Sequence, residues 1–464
     1  MGPSTRGDFV TKLRLLIRAR DYIDSVARRS PARLALVIFA LIILCFTLLL
    51  LLPQARNAPT RAPFLTALFT ATSATCVTGL TVVDTAAYWS PFGHVVIAFA
   101  MQIGALGVMT LASLLGLAVS RRIGLTQRIL TADETKSRLG EVGGLLRTVV
   151  VTSLIAESIL ALALLPSSLS ITSDFGTAVG SSIFMAISVF NNGGFVIYDA
   201  GISGFVDSWM FGIPVILGTF VGALGFPVIL NISRHWRKPR RWSLTSKITL
   251  TTSIALFFFG IIGIFILEWN NSHTYGPLSF DEKILAAMFH SITPRSSGLS
   301  TLDMSKIHES TWFFTDVLMF IGGGSGGTGG GIKVTTFAIL ILAIIAEARG
   351  DQDVEVYGRR IPATVTRLAI SITFLGTVLV GVSTLAILHI TDFPLSRVLF
   401  ETISAFATTG LSTGITPMLP PTAQVILVLL MYFGRVGTVT TAAALALRYR
   451  RRVIRMPEEQ PLVG

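Results

Sequence analysis

Four short segments of this chain end on a glycine that follows a run of small, mostly polar residues: Cys76-Val77-Thr78-Gly79, Asn191-Asn192-Gly193-Gly194, Arg295-Ser296-Ser297-Gly298 and Ala407-Thr408-Thr409-Gly410. They recur about every 110 residues, an internal period that signals a repeated unit. Residues of these types make no acid-base pair and no activated nucleophile. What they offer is backbone, and a ring of backbone carbonyls can replace the water shell of a cation. Glycine allows the angles that turn such carbonyls inward, which makes Gly79, Gly194, Gly298 and Gly410 the four expected centres. An anion pathway would need a ring of Lys or Arg, and Arg295 is the one basic residue within the segments. Arg295 reads equally well as a structural partner for a pore-helix carbonyl or carboxylate.

Other chemistry is thinly represented. The six histidines are scattered, no H-E-x-x-H pattern occurs, and no span carries paired carboxylates, so a membrane-embedded enzyme lacks its machinery. The two cysteines, Cys45 in an apolar span and Cys76 in the first segment, read as small buried apolar side chains without a redox or metal role.

Each segment sits inside the same larger unit: a long apolar helix, a short stretch, the glycine segment, then a second long apolar helix. The first unit runs over 34–119, the second over 145–232, the third over 248–346 and the fourth over 361–447. Their short stretches are Pro63 to Thr75, Gly176 to Phe190, Phe280 to Ile292 and Leu395 to Phe406. A helix of about 13 residues rises only ~20 Å and cannot cross roughly 30 Å of hydrocarbon, so these stretches are expected to re-enter as pore helices. The non-helical glycine segments are then tolerated because protein buries them or water reaches them. The negative C-terminal ends of the four short helices would favour a cation. The expected fold is all-α and polytopic: eight transmembrane helices and four re-entrant pore helices around one pseudo-fourfold pore.

Composition places the chain in a bilayer. Of its 464 residues 52% are hydrophobic and 13% charged, and the mean hydropathy is +0.71. Soluble domains carry nearly twice that share of charge. The net charge of +12 does not point to nucleic acid, because the basic residues lie between spans. They cluster in the segment 1–33, at Arg121-Arg122 with Arg128, from Arg234 to Arg241, at Arg349 with Arg359-Arg360, and in the tail 448–464, while intervening loops such as Pro166 to Phe175, Val196 to Trp209 and Glu268 to Phe280 carry none. That alternation puts both termini in the cytosol. The segment 1–33 is too long and too basic for a signal peptide and reads as a cytosolic amphipathic helix. The loop Arg234 to Arg241 and the tail serve either as docking surfaces for a cytosolic partner or as topology signals alone.

In the third unit the run Gly322-Gly323-Gly324-Ser325-Gly326-Gly327-Thr328-Gly329-Gly330-Gly331-Ile332-Lys333 interrupts the returning helix. Gly324 to Gly329 fits G-x-G-x-x-G, but the flanks are membrane-type helices where that motif needs a βαβ unit, and Ile332 breaks a Walker pattern. Each glycine weakens a helix by up to roughly 1 kcal/mol, so the run is expected to unwind and, below the four segments, to act as a gate. Lys333 at its end is a functional candidate or snorkels to the cytosolic face. Arg435, deep in the last helix, is expected to pair with a carbonyl or carboxylate near the pore, Glu401 being one choice. Glu157 is an intramembrane acid with either a structural or an ion-coupling role.

These residues resemble the Trk/Ktr/HKT superfamily of potassium transporters. Phe190-Asn191-Asn192-Gly193-Gly194-Phe195 looks like its second pore loop, Thr293-Pro294-Arg295 with Gly298 like its third, and Phe406 to Gly414 like its fourth; Gly434-Arg435-Val436-Gly437 is similar to a signature of its last helix. The length is most similar to the Ktr-type (KtrB-like) membrane subunit. The resemblance implies a selectivity filter made by Cys76, Val77, Thr78, Gly79, Asn191, Asn192, Gly193, Gly194, Ser296, Ser297, Gly298, Thr408, Thr409 and Gly410. It implies a gating loop over 322–333 and Arg435 as a supporting charge. Gly79 favours potassium, since sodium-preferring plant relatives commonly carry serine there; Gly193 departs from an alanine common in relatives.

The function expected from this is potassium uptake across the plasma (inner) membrane, with no covalently bound cofactor and with K+, or alternatively Na+, in the pore. By resemblance the subunit is a homodimer carrying a ring of cytosolic nucleotide-binding (RCK, KtrA-like) regulatory subunits, in contact with membrane lipid and with no nucleic acid. A sodium-permeable or sodium-coupled transporter of the same superfamily is the alternative. A secondary transporter of a small solute would show two related halves and broken helices, whereas four similar quarters are seen here.

Overall fold

The computed structural model describes residues 31–58, 61–120 and 140–437. Residues 1–30, 59–60, 121–139 and 438–464 lie outside the described residues, and with them the expectations placed there.

The first unit is built from α1 (Pro31–Leu50), the short α2 (Phe64–Thr75) and α3 (Pro91–Ser120). The second has α4 (Gly140–Leu169), the short α5 (Phe175–Phe190), α6 (Trp209–Leu224) and α7 (Phe226–Arg234). The third has α8 (Leu244–Glu268), the short α9 (Phe280–Ile292), α10 (Glu309–Phe320) and α11 (Val334–Arg349), and the fourth α12 (Ala363–Ile390), the short α13 (Leu395–Ala407) and α14 (Pro421–Tyr432). Local chemistry sets the starts of the short helices. Asp174 caps α5 by accepting from the Thr177 amide, Ser279 and Glu282 form a reciprocal capping box on α9, and prolines at 63 and 394 precede α2 and α13. Outside the helices, the Asp174 carboxyl is held below its ordinary range by hydrogen bonds from the Thr177 side chain and backbone.

The core is inverted relative to a soluble protein. The short helices are the most buried, with Phe69, Phe289, Phe400 and Phe406 all closed off, while Leu41 and Leu48 of α1, Ile159 and Leu162 of α4, Ile262 and Ile266 of α8, and Phe374 and Leu385 of α12 face outward. An outer belt of this kind suits lipid rather than water. Among the described residues three helices are long and apolar enough to cross a membrane, Arg147–Leu169, Leu244–Glu268 and Ala363–Ile390, and the bent pair α6 and α7 brings that to as many as four. Other apolar helices, such as Ala35–Leu50, Pro91–Gly107 and Pro421–Gly437, are shorter. The chain closes on itself: the Tyr432 hydroxyl of α14 donates to the Leu36 carbonyl of α1 at 2.5 Å.

Three features differ from the sequence expectation. The helix expected from Trp209 to Ile232 breaks at Gly225, where α7 turns by 97° from α6. Gly225 has φ +92, and Pro227 opens the new helix, so the backbone turns where only glycine turns cheaply. A hairpin of β1 (Val354–Val356) and β2 (Arg359–Ile361) follows α11, joined by Tyr357 and Gly358, both left-handed as a two-residue turn requires. The all-α expectation missed it. Cys45, expected to be buried, is exposed on the outer face of α1, and Cys76 is buried.

Candidate functional site

The ends of the short helices show why the glycine segments adopt their shape. Left-handed residues occur in pairs around one intervening residue: Val77 (φ 55) and Gly79 (φ 91), Asn192 (φ 59) and Gly194 (φ 72), Thr408 (φ 48) and Gly410 (φ 99). In an extended chain successive carbonyls alternate sides, and inverting every second residue brings them to one side. A left-handed valine is strained, and such strain persists only where surrounding structure imposes it. The third segment is different: Ser296 is extended (φ −176) behind the turn Thr293–Arg295, and Gly298 (φ 64) is left-handed.

The four glycines meet. A Cβ on Gly79 would stand 2.8 Å from the Gly194 Cα, one on Gly194 2.7 Å from the Ser297 oxygen, one on Gly298 2.8 Å from the Gly410 Cα, and one on Gly410 3.0 Å from the Gly79 Cα. The contacts run from Gly79 to Gly194, from Gly194 to Ser297 beside Gly298, from Gly298 to Gly410 and back to Gly79, a closed ring of the four segments in chain order. Cys76, Val77, Thr78, Asn191, Asn192, Gly193, Ser296, Ser297, Thr408 and Thr409 are buried around it. The hydroxyls of Thr78, Ser296, Ser297 and Thr408 are buried with no protein hydrogen-bond partner. A buried arrangement of oxygens with no carboxylate or ammonium among them can coordinate a cation.

A set of serines missed in the sequence ties the ring to the short helices. The Gly79 amide donates to Ser73 Oγ and the Gly410 amide to Ser404 Oγ, each at 3.0 Å, while Ser188 Oγ donates to the Phe195 carbonyl at 2.8 Å. Backbone bonds Thr78 to Ser73, Gly193 to Ser188, Gly298 to Thr293 and Thr409 to Ser404 complete the pattern. The signal was present: a serine stands six residues before the glycine in segments one, two and four.

Beneath the ring the glycine run forms a closed loop. Its ends pair, with the Gly322 amide on the Ile332 carbonyl at 2.9 Å and the Val334 amide on the Gly323 carbonyl at 3.1 Å. Asn192 Nδ2 donates to Thr328 Oγ1 at 2.5 Å, a Cβ on Gly329 would lie 2.6 Å from Ser296 Oγ, and Gly330 and Gly331 lie against Thr408 and Ala407. Ser325, Gly326 and Gly327 pack on the elbow at Gly225, and Gly324 donates to the Ala223 carbonyl at 2.7 Å. Lys333 does not reach away: its Nζ donates to the Gly329 carbonyl at 2.5 Å and closes the loop on itself.

Arg435 lies in a π-helical turn, Phe433–Gly437, and donates to the Thr328 carbonyl. Glu401, the partner suggested by the sequence, instead accepts from the Ser412 hydroxyl (2.7 Å), the Thr413 amide (2.8 Å) and the Thr416 hydroxyl (2.5 Å). A buried guanidinium aimed at the loop explains the choice, since the loop offers carbonyls freed from helix. Arg295 likewise turns from the pore helices and donates to the carbonyl and hydroxyl of Ser253 in α8, at 3.0 and 3.1 Å.

Residues 31–450 match the family model described as TrkH, a cation transport protein. The chain belongs to the TrkH family. It is 35% identical over 450 residues to Ktr system potassium uptake protein B of Bacillus subtilis, covering 96% of this chain and 99% of that one. It is 32% identical over 448 residues to potassium/sodium uptake protein NtpJ of Enterococcus hirae, covering 94% and 98%. Among solved structures the potassium transporter TrkH from Vibrio parahaemolyticus has the same fold, with a TM-score of 0.72 at 18% identity over 89% of this chain and 84% of that one. This TrkH-family chain is therefore a multi-pass membrane transport protein and not an enzyme.

Proposed function

We propose that this TrkH-family protein takes up potassium across the plasma membrane through a filter formed by the four glycine segments. The ring of Gly79, Gly194, Gly298 and Gly410 carries the reading, because its contacts close in chain order and oxygens without charge surround it. Carbonyls held in this way replace the hydration shell of an entering cation. The loop 322–333 is the gate beneath the filter, and Arg435 and Lys333 hold it in place through the carbonyls of Thr328 and Gly329. Both termini lie in the cytosol, and the gate answers to a cytosolic nucleotide-binding subunit bound to a dimer of this chain. The Ktr-type relatives support potassium as cargo, and Gly79 in the first segment agrees.

The relative named as a potassium/sodium uptake protein keeps a sodium-permeable pore as the second reading. Rubidium and sodium uptake by cells lacking their own potassium systems separates the two. Wild type with its partner takes up rubidium in preference to sodium, and Gly79→Ser loses that preference, since a side chain at φ +91 beside Gly194 displaces the ring. No uptake of either ion by protein that reaches the membrane with its partner would sink the reading.

A further inference from the structure

The second segment differs from the first and fourth in how it is held from the side, and it alone of the four is held there by a buried carboxylate among the described residues. Asn191, the last residue before the left-handed Asn192, points its amide sideways: Nδ2 donates to Gln102 Oε1 of α3 at 2.7 Å, to Glu157 Oε1 of α4 at 3.0 Å and to the Ile187 carbonyl at 3.0 Å. The corresponding residues of the first and fourth segments, Cys76 and Ala407, have no comparable side chain. Glu157 is 6% exposed. It also accepts from Ser153 Oγ at 2.8 Å and from Gln102 Nε2 at 2.9 Å, and no Lys or Arg pairs with it among the described residues. Three donors from three elements thus converge on one buried carboxylate, an acceptor-only group matched to donors alone.

We infer that Glu157 is a positioning residue for ion selection: it fixes Asn191, and through Asn191 the second filter segment, without touching the ion. The inference rests on the filter reading given above. Asn192 is strained at φ 59 and needs a neighbour that holds the backbone in place. Asn191 supplies this from the side while Asn192 itself is anchored below on Thr328. Gly194, two residues on, packs against both Ser297 and Gly79, so a shift of the second segment reaches the first and third. A proton-coupling carboxylate would need its charge; a positioning one needs only an acceptor at Oε1.

The test compares Glu157→Ala, Glu157→Gln, Asn191→Ala and the Glu157→Ala/Asn191→Ala pair, with Gln102→Met as a second route to the same network should Glu157→Ala not reach the membrane. Rubidium and sodium uptake are measured with the regulatory partner present and normalised to protein in the membrane. Glu157→Ala and Gln102→Met lower the rubidium-to-sodium ratio by roughly three- to tenfold, the range one lost hydrogen bond supplies. Glu157→Gln keeps an acceptor for Asn191 and Ser153 and restores most of the ratio. The double variant is no worse than the worse single one, as expected of residues acting in one unit. An unchanged ratio in Glu157→Ala and Gln102→Met, a Glu157→Gln as impaired as Glu157→Ala, or additive losses in the double variant would each overturn the inference. Absence of rubidium uptake by wild type would instead refute the filter reading itself.

Discussion

Asn192 and Thr328 lie 136 residues apart and share a 2.5 Å hydrogen bond that joins the second glycine segment to the glycine-rich loop below it. Thr328 is a hub. Its hydroxyl passes a hydrogen bond on to the Gly222 carbonyl of α6 at 3.0 Å, and its own carbonyl receives the guanidinium of Arg435 in the π-helical turn after α14. One residue therefore connects a segment of the ring, the helix that ends at the elbow and the only described Arg of the last helix. The loop is thus held at its centre by three separate elements.

Thr328→Val keeps the shape of the side chain and removes both hydroxyl bonds. The Asn192 amide is left buried without its acceptor and the Gly222 carbonyl keeps only the Thr328 backbone amide at 3.5 Å, at a cost of about 1–3 kcal/mol to this arrangement. The rate of rubidium uptake rises, and the protein unfolds at lower temperature in detergent. A rate at or below that of wild type would show that Thr328 does not hold the gate.

Gly225→Ala probes the elbow. At φ +92 an alanine is strained, and its Cβ would stand 2.6 Å from the Ser325 carbonyl of the loop. The strain alone is on the order of 1–3 kcal/mol. The loop is forced off α7, so the variant shows altered uptake rate together with faster proteolysis or labelling at a cysteine placed at Ser325, the exposed position of the run. Unchanged rate and unchanged labelling would separate the elbow from the gate.

The glycine segments, the unwinding run and the short stretches before each segment were readable in the sequence because each depends on residue type or length at a fixed spacing. The Gly225 elbow was not read, although Gly-Phe-Pro stood in the sequence, because the surrounding apolar residues suit a continuous helix equally well. The partner of Arg435 was beyond reach for a different reason. Glu401 is the nearest charge in kind, but its oxygens are already taken by Ser412, Thr413 and Thr416, which follow it by 11 to 15 residues. The serines at 73, 188 and 404 carried a period that only became meaningful once the amides they serve were known.

Glu268 is a buried carboxylate of another kind and serves as a contrast to Glu157. It closes the loops between α8 and α10, accepting from Asn271 (2.7 Å), Thr274 (2.8 Å), the His308 amide (2.9 Å) and Thr311 (2.5 Å). Glu268→Ala strands these donors and destabilises the protein by at least about 2 kcal/mol, read as a lower unfolding temperature. The rubidium-to-sodium ratio of the protein that remains folded stays at the wild-type value. A lowered ratio would show that the outer loops take part in selection.

The returning helices touch the short helices through glycine, and that contact can be tested one helix at a time. Cβ atoms on Gly104 of α3, Gly222 of α6 and Gly434 just beyond α14 would run into the carbonyls of Thr75, Phe190 and Phe406, the ends of the short helices of their own units. Small residues at such crossings let backbones approach where lipid supplies no hydrophobic drive for association. Gly104→Ala, Gly222→Ala and Gly434→Ala each push a helix outward, at a cost of about 1–3 kcal/mol or more, and shift the carbonyls that lead into the ring. Gly381 of α12 meets nothing within 4 Å of its added Cβ. Gly381→Ala therefore removes only the helix penalty of glycine and leaves stability equal or higher, by up to about 1 kcal/mol. Unfolding temperature and uptake measured side by side distinguish the two groups, and equal behaviour of all four variants would mean that the close crossings do not position the ring.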